Sequence, residues 1–271
     1  MRAMERPVSH RQARHRFTLS RPRGIAVAVV AALAALAVGG AAFAQAVNPI
    51  VQVRYDAKYG YFLTDAAGMT LYTFSNDTNG KSNCNGGCAA AWPPLEADSA
   101  TIAPLNVPGS FSVITRDDGS KQVAYNGKPL YTFRSDTKPG DVAGQAFHDA
   151  WWVANLEPAV QLLATAKGTE VVGPTGMTLY TFGKDTAGVS NCSGTCALNW
   201  PPLVGAYDTG HGNGPVAGTG VSGTLGVIAR ADGGMQLTLD GKPLYYFRGD
   251  TMPGEAKGDG LLGLWQKVTQ P

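Results

Sequence analysis

The chain has little of what many catalytic sites are built from. It holds four His and four Cys in 271 residues, and only His148 and His211 lie beyond residue 46. No Gly-x-Ser-x-Gly sequence occurs. Neither His has an evident nucleophile to serve, so hydrolase chemistry of the Ser-His kind finds no support. Nothing singles out a carboxylate pair for glycoside cleavage. Beyond residue 23 there is no run of Lys or Arg, which speaks against a nucleic-acid partner. Beyond residue 46, long apolar stretches of helical period are missing. Short β-rich runs separated by Gly, Asp and Asn take their place, an all-β signature.

The N-terminus reads differently from the rest. Residues 1–23 carry seven Arg and one Glu, and Gly24 to Ala44 carries no charge and is rich in Ala, Val and Leu. Ala42-Phe43-Ala44 follows with small residues where a signal peptidase reads them. Basic segment, apolar segment and A-x-A site predict a Sec-type secretory signal over residues 1–46, cleaved after Ala44 or Ala46. The alternative is an uncleaved anchor, the chain's one route to a membrane, because the uncharged stretch approaches a bilayer span. The 22 Lys and Arg and 20 Asp and Glu of the whole chain become 15 and 19 beyond the leader, a net charge of −4.

One pattern is written four times: Tyr-x-Phe-x-x-Asp-Thr, with a Trp at a fixed distance. It comprises Tyr72, Phe74, Asp77 and Trp92; Tyr131, Phe133, Asp136 and Trp151; Tyr180, Phe182, Asp185 and Trp200; and Tyr245, Phe247, Asp250 and Trp265. Fixed spacing means one structural unit reused. The four copies nest in two larger repeats. Gly68–Thr78 matches Gly176–Thr186 at nine of eleven positions, and Ser82–Leu95 matches Ser190–Leu203 at ten of fourteen. Asn126–Gly140 matches Asp240–Gly254 at eleven of fifteen, with six extra residues falling in a Gly-rich loop around Tyr207–Gly218. The odd quarters carry Cys-x-x-x-Cys and Trp-Pro-Pro-Leu; the even quarters carry Gly-Lys-Pro-Leu-Tyr and a Pro-Gly turn.

These repeats predict two tandem antiparallel meander domains with internal pseudo-twofold repetition, over residues 47–160 and 161–271. The join falls inside Asn155–Lys167, read as a linker or a short helix. A single four-bladed propeller-like ring is the alternative. In the second quarter, strands are predicted over Ser112–Arg116, Gln122–Tyr125, Leu130–Phe133 and Trp152-Val153. In the fourth they fall over Gly226–Arg230, Gln236–Leu239, Leu244–Phe247 and Leu264–Val268. Asp118-Gly119 and Asn126-Gly127 supply tight turns.

Strand phase puts Tyr72 and Phe74 on one face and Leu71 on the other. The repeated aromatics therefore read as core, and each motif Asp as an Asx-type turn accepting backbone N–H groups just ahead. The rival reading has the Tyr hydroxyls and Asp carboxylates lining a groove for sugars or cations, in which case Tyr131→Phe would weaken binding and spare stability. A calcium loop at Asp77–Gly80 is weak, because its counterpart has Ala187 in place of Asn79.

Cys84 and Cys88, with Cys192 and Cys196, carry the sharpest chemistry. An even count in an exported chain reads as disulfides. Four Cys allow three connectivities, and the repeat favours closure within each loop, turned at Gly86 and Gly194. The alternative is thiol-redox or copper handling, with Cu(I) on the thiolates of these same four Cys. A third ligand is lacking: His148 and His211 are not repeat-equivalent, and Met69 and Met177 read as core.

The Tyr-x-Phe-x-x-Asp, Cys-x-Gly-x-Cys-Ala-x-x-Trp-Pro-Pro and Gly-Lys-Pro-Leu-Tyr motifs together resemble the bacterial "secreted repeat of unknown function". Its members are often described as lipoproteins with a Tyr-x-(Phe/Trp/Tyr)-x-x-Asp motif. The resemblance spans about residues 51–268. It implies an exported repeat protein and assigns no catalytic residue or cofactor. The first Cys is Cys84, so no Cys follows the leader to take a lipid. The expected function is a non-enzymatic binding or structural module of the cell envelope or exterior.

Overall fold

Asn126 and Gly127 show how local chemistry sets the architecture. Both have positive φ, 48° and 77°, as do Asp240 and Gly241 at 50° and 75°. Two successive left-handed residues make the tight hairpin turn whose twist suits antiparallel strands. The computed structural model describes residues 49–98 and 107–271; the leader lies outside them.

Each quarter opens on a hairpin. The first holds β1 (Val51–Asp56), β2 (Gly60–Asp65), β3 (Tyr72–Phe74) and the short helix α1 (Gly87–Ala91). The second holds β4 (Phe111–Thr115), β5 (Lys121–Tyr125), β6 (Lys128–Pro129) and β7 (Trp151–Val153). The third holds β8 (Gln161–Thr165), β9 (Gly168–Val172), β10 (Tyr180–Phe182), α2 (Thr195–Asn199) and β11 (Val204–Gly205). The fourth holds β12 (Leu225–Ala229), β13 (Met235–Leu239), β14 (Lys242–Pro243), β15 (Trp265–Lys267) and β16 (Thr269–Gln270).

The fold is all-β, in small antiparallel sheets. β5 lies between β4 and β6, and β13 lies between β12 and β11 with β14 also paired to it. From Gln122 to Tyr125, β5 is buried on both faces. Pairing also crosses between quarters: β3 pairs with β7, and β10 with β15. A quarter is therefore not a self-contained propeller blade; two quarters complete each other.

Two predicted strands are not regular ladders. Across Leu130–Phe133 the backbone changes partner at each residue: Leu130 N–H donates to Val123, Tyr131 to Tyr72 and Thr132 to Pro93. Leu244–Phe247 does the same with Leu237, Tyr180 and Pro201. The segment joining the halves contains no helix. It passes through the cis Glu157–Pro158 bond into β8.

Each half has an aliphatic and an aromatic core. Leu71 packs with Val51, Leu63, Val123 and Leu130, whereas its neighbour Tyr72 packs with Trp92, Tyr131, Phe133 and Trp151. The second half repeats this with Leu179 and Tyr180. The halves touch where Asn155 donates to the carbonyls of Tyr59 and Tyr61 and accepts from the Ala206 N–H at 2.8 Å. Gly60 lies so close to the Val204 carbonyl that a Cβ would collide with it.

Candidate functional site

The repeated motif residues meet in exchanged pairs. The Tyr72 hydroxyl donates to Asp136 at 2.7 Å, and the Tyr131 hydroxyl donates to Asp77 at 2.8 Å. In the second half Tyr180 donates to Asp250 and Tyr245 to Asp185, both at 2.6 Å. Each Tyr thus reaches the Asp of the other copy, the reciprocity a twofold arrangement imposes. The second carboxylate oxygen holds its own loop: Asp77 and Asp185 accept from the N–H groups of Asn83 and Asn191, and Asp136 and Asp250 from those of Ala143 and Lys257. Those partners lie six or seven residues ahead, too far for the expected Asx turn. Burial holds all four carboxyls above their ordinary range, opposed by these hydrogen bonds. Burial, reinforced by the facing carboxylate, pushes the four phenols up as well.

The rings form one stack per half. Phe74 lies on Trp151 at 4.3 Å, Trp151 on Trp92 at 3.8 Å and Trp92 on Phe133 at 4.0 Å. Tyr72 and Tyr131 meet the two Trp edge-on at 5.3 and 5.1 Å. In the second half Phe182, Trp265, Trp200 and Phe247 follow at 4.3, 3.7 and 4.3 Å. Such contacts add about 0.5–1.5 kcal/mol per pair beyond area burial. Tyr72, Tyr131, Tyr180 and Tyr245 are 0% exposed. Their hydroxyls therefore line no surface groove, and the reading of Tyr131 as an exposed sugar contact does not hold.

The cysteines close within their loops. Cys84 bonds Cys88 with Cα atoms 5.2 Å apart, and Cys192 bonds Cys196 at 5.3 Å. Gly86 and Gly194 precede the short helices at φ 56° and 55°, a backbone setting that favours glycine. The Trp92 and Trp200 N–H groups donate to the Cys88 and Cys196 carbonyls at 2.8 Å, so each ring fixes the entry of a stacked Trp. With the sulfurs bonded in pairs, no thiolate is offered to Cu(I). Among the described residues, no three His, Cys, Asp or Glu gather as a metal site.

Sequence reasoning missed Arg116 and Arg230. The Arg116 guanidinium is buried and donates to Ser82, Gln122 and the Cys84 carbonyl at 2.8, 2.6 and 2.6 Å. Arg230 binds Ser190, Gln236 and the Cys192 carbonyl at 2.8, 2.8 and 3.1 Å. Ser82 and Ser190 in turn bond Tyr131 and Tyr245. An even-quarter Arg therefore ties the odd-quarter disulfide loop to the Tyr–Asp pair. The signal was available: Arg-x-Asp-Gly recurs at Arg116 and Arg230 with the offset of 114 residues that separates the second and fourth copies of the motif.

A cleft opens in each half where the strands part beyond this core. In the first, Tyr72 at the start of β3 bridges to Tyr131 just beyond β6; the two chain segments then separate, and meet again where the Gly80 N–H donates to the Gly127 carbonyl. The gap holds about 370 Å³ and is lined by Thr73, Phe74, Asp77, Asn126 and Lys128, with His211 of the inserted loop at its edge. In the second, Tyr180 at the start of β10 bridges to Tyr245 just beyond β14; the segments then part and meet again where the Gly188 N–H donates to the Gly241 carbonyl. That gap holds about 380 Å³ and is lined by Thr181, Phe182, Asp185, Asp240 and Lys242.

The sequence model of a family described as "Secreted repeat of unknown function" matches residues 53–96, 112–155, 162–204 and 226–269, more than half of the chain. The chain belongs to this family. No curated protein and no solved structure matches it. The four matched segments are the four quarters, each running from its hairpin to just beyond its Trp strand or Trp-Pro-Pro turn. The family description and the two disulfides agree on a compartment outside the cytoplasm.

Proposed function

We propose that this secreted repeat is a non-enzymatic binding module of the cell envelope or exterior, with one binding cleft in each half. The observation that carries this reading is the recurrence of the same cleft at repeat-equivalent positions. The motif groups suited to acid–base work are used against each other: every motif Asp accepts a hydrogen bond from a phenol and one from a backbone N–H, including Asp77 and Asp185 at the cleft walls. The surface that recurs and stays open is the gap between the parting strands. Its volume suits a small ligand or one unit of a longer one. Export follows from residues 1–46 acting as a Sec-type signal cleaved after Ala44, for which N-terminal sequencing of the exported protein is the direct check.

Retention on isolated cell envelopes tests the binding role. Thr78 and Thr186 are exposed, repeat-equivalent and part of the two clefts. A T78W/T186W double variant should unfold at the same denaturant concentration as the native protein and lose retention. A native protein that is not retained, or a double variant retained as well as the native one, sinks the proposal.

A further inference from the structure

We infer that both clefts bind ring units of a neutral polysaccharide; this rests on the binding reading above and names its ligand. The side chains present decide among ligand classes. Phe74 and Phe182 line the clefts while their rings are held against Trp151 and Trp265. Each cleft thus has one rigid, half-buried Phe ring, suited to the C–H face of a sugar, with the buried Trp152 beside it in the first. Around it stand hydroxyls of Thr73 and Thr78, or of Thr181 and Thr186, with the amides of Asn126 or Gln266. These groups both donate and accept, as the hydroxyls of a polyol do.

The charges argue against ions. The first cleft is lined by both Asp77 and Lys128, the latter itself paired with Glu157 at 2.8 Å, and His211 is paired with Asp208 at 2.9 Å. The second is lined by Asp185, Asp240 and Lys242. An anion entering either cleft meets a carboxylate, and a cation meets an ammonium. A neutral polyol meets donors and acceptors without either penalty. Two copies of one cleft in one chain match a ligand that repeats its own unit, and two linked sites bind such a polymer far more tightly than either alone. The clefts are not identical. Trp152 and the inserted His211–Asn213 wall the first, whereas Gln266 and Leu264 stand at the second, so the two sites hold their units with different strength.

The test uses the mature exported protein on envelopes stripped of protein by protease and of lipid by detergent, which leaves polysaccharide. Retention should persist on the stripped material, stay the same from low to high salt, and be lost in T78W/T186W. Each single variant should weaken it roughly tenfold or more, since avidity is lost with one site. Retention on intact envelopes that disappears on stripping overturns the saccharide assignment and leaves the binding module standing. Retention that falls away at high salt overturns the neutral ligand in favour of an ionic one. No retention on intact envelopes removes the binding reading itself.

Discussion

The two halves of this protein share an interior and differ at the surface. Their central Trp pairs stack at 3.8 and 3.7 Å with interplanar angles of 2° and 3°, and their Tyr–Asp bonds span 2.6–2.8 Å. Outside, equivalent exposed positions diverge. Lys81, Ala90, Lys138 and His148 of the first half correspond to Val189, Leu198, Met252 and Leu262 of the second, where exposures are 50, 68, 60 and 85%. The comparison separates two kinds of constraint. Rings packed face to face and phenols bound to buried carboxylates tolerate no change of shape or chemistry. Exposed turn residues are free to diverge, and the clefts lie between these regimes.

The largest way to break the equivalence is to remove the centre of a stack. Trp151→Ala and Trp265→Ala should each cost about 3–5 kcal/mol in urea unfolding. Equal costs are expected because each ring touches one Trp, one Phe and one Tyr at nearly the same distances. A twofold disparity in cost would show that the stacks are alike in shape but not in energy. The Arg clamps should differ more. Lys cannot span three acceptors, so Arg116→Lys should cost about 2–3 kcal/mol by leaving buried acceptors unpaired. Arg230→Lys should cost less, because its bond to the Cys192 carbonyl is longer, 3.1 Å against 2.6 Å for Arg116 and Cys84.

Those two experiments probe features of unequal visibility in the sequence. The stack was half legible. Strand phase put Tyr72 with Phe74 and apart from Leu71, and the +20 spacing attached a Trp to each copy. Which copy packs on which was not legible, because spacing inside one copy carries no information about its partner. Tyr72 therefore read as bound to nothing in particular, when its acceptor is Asp136, 64 residues away. Disulfide pairing was legible because two copies of a loop close alike. Arg116 is inconspicuous because a lone Arg at a hairpin end reads as solvated; only comparison with Arg230 marks it. The clefts arise where strands part, and no local pattern encodes a separation.

The surface difference can be sharpened at one turn. Leu262 has φ 56° and His148, its equivalent, has φ 51°. A left-handed backbone costs a branched apolar residue more than it costs His, which visits that region more readily. Leu262→Gly should therefore stabilise by about 1 kcal/mol, seen as a higher urea midpoint. His148→Gly should stabilise by less. If Leu262→Gly destabilises instead, the Leu side chain has a packing role that its exposure conceals.

The smallest effect separates two sets of carboxylates by sign. The motif carboxyls, such as Asp77, have raised folded pKa values because burial disfavours their charge. The folded state then holds the proton more tightly than the unfolded chain, so stability rises as pH falls through the raised value and levels off below the ordinary 3.8. Asp141 and Glu255 at the Pro-Gly turns have lowered values, Asp141 chiefly through the Thr137 N–H and Glu255, held down to about 2, chiefly through Lys257. Their contribution is present above the ordinary carboxylate pKa and is lost as pH falls through the lowered one. Asp77→Asn removes the first contribution and Asp141→Asn the second. The gap in urea midpoint between native protein and Asp77→Asn should shift in favour of the native protein on acidification. The gap to Asp141→Asn should shift the other way. Two slopes of the same sign would mean that the hydrogen bonds from the Asn83 N–H and the Tyr131 hydroxyl, and not burial, govern Asp77, and that its carboxylate is as comfortable as one in an exposed turn.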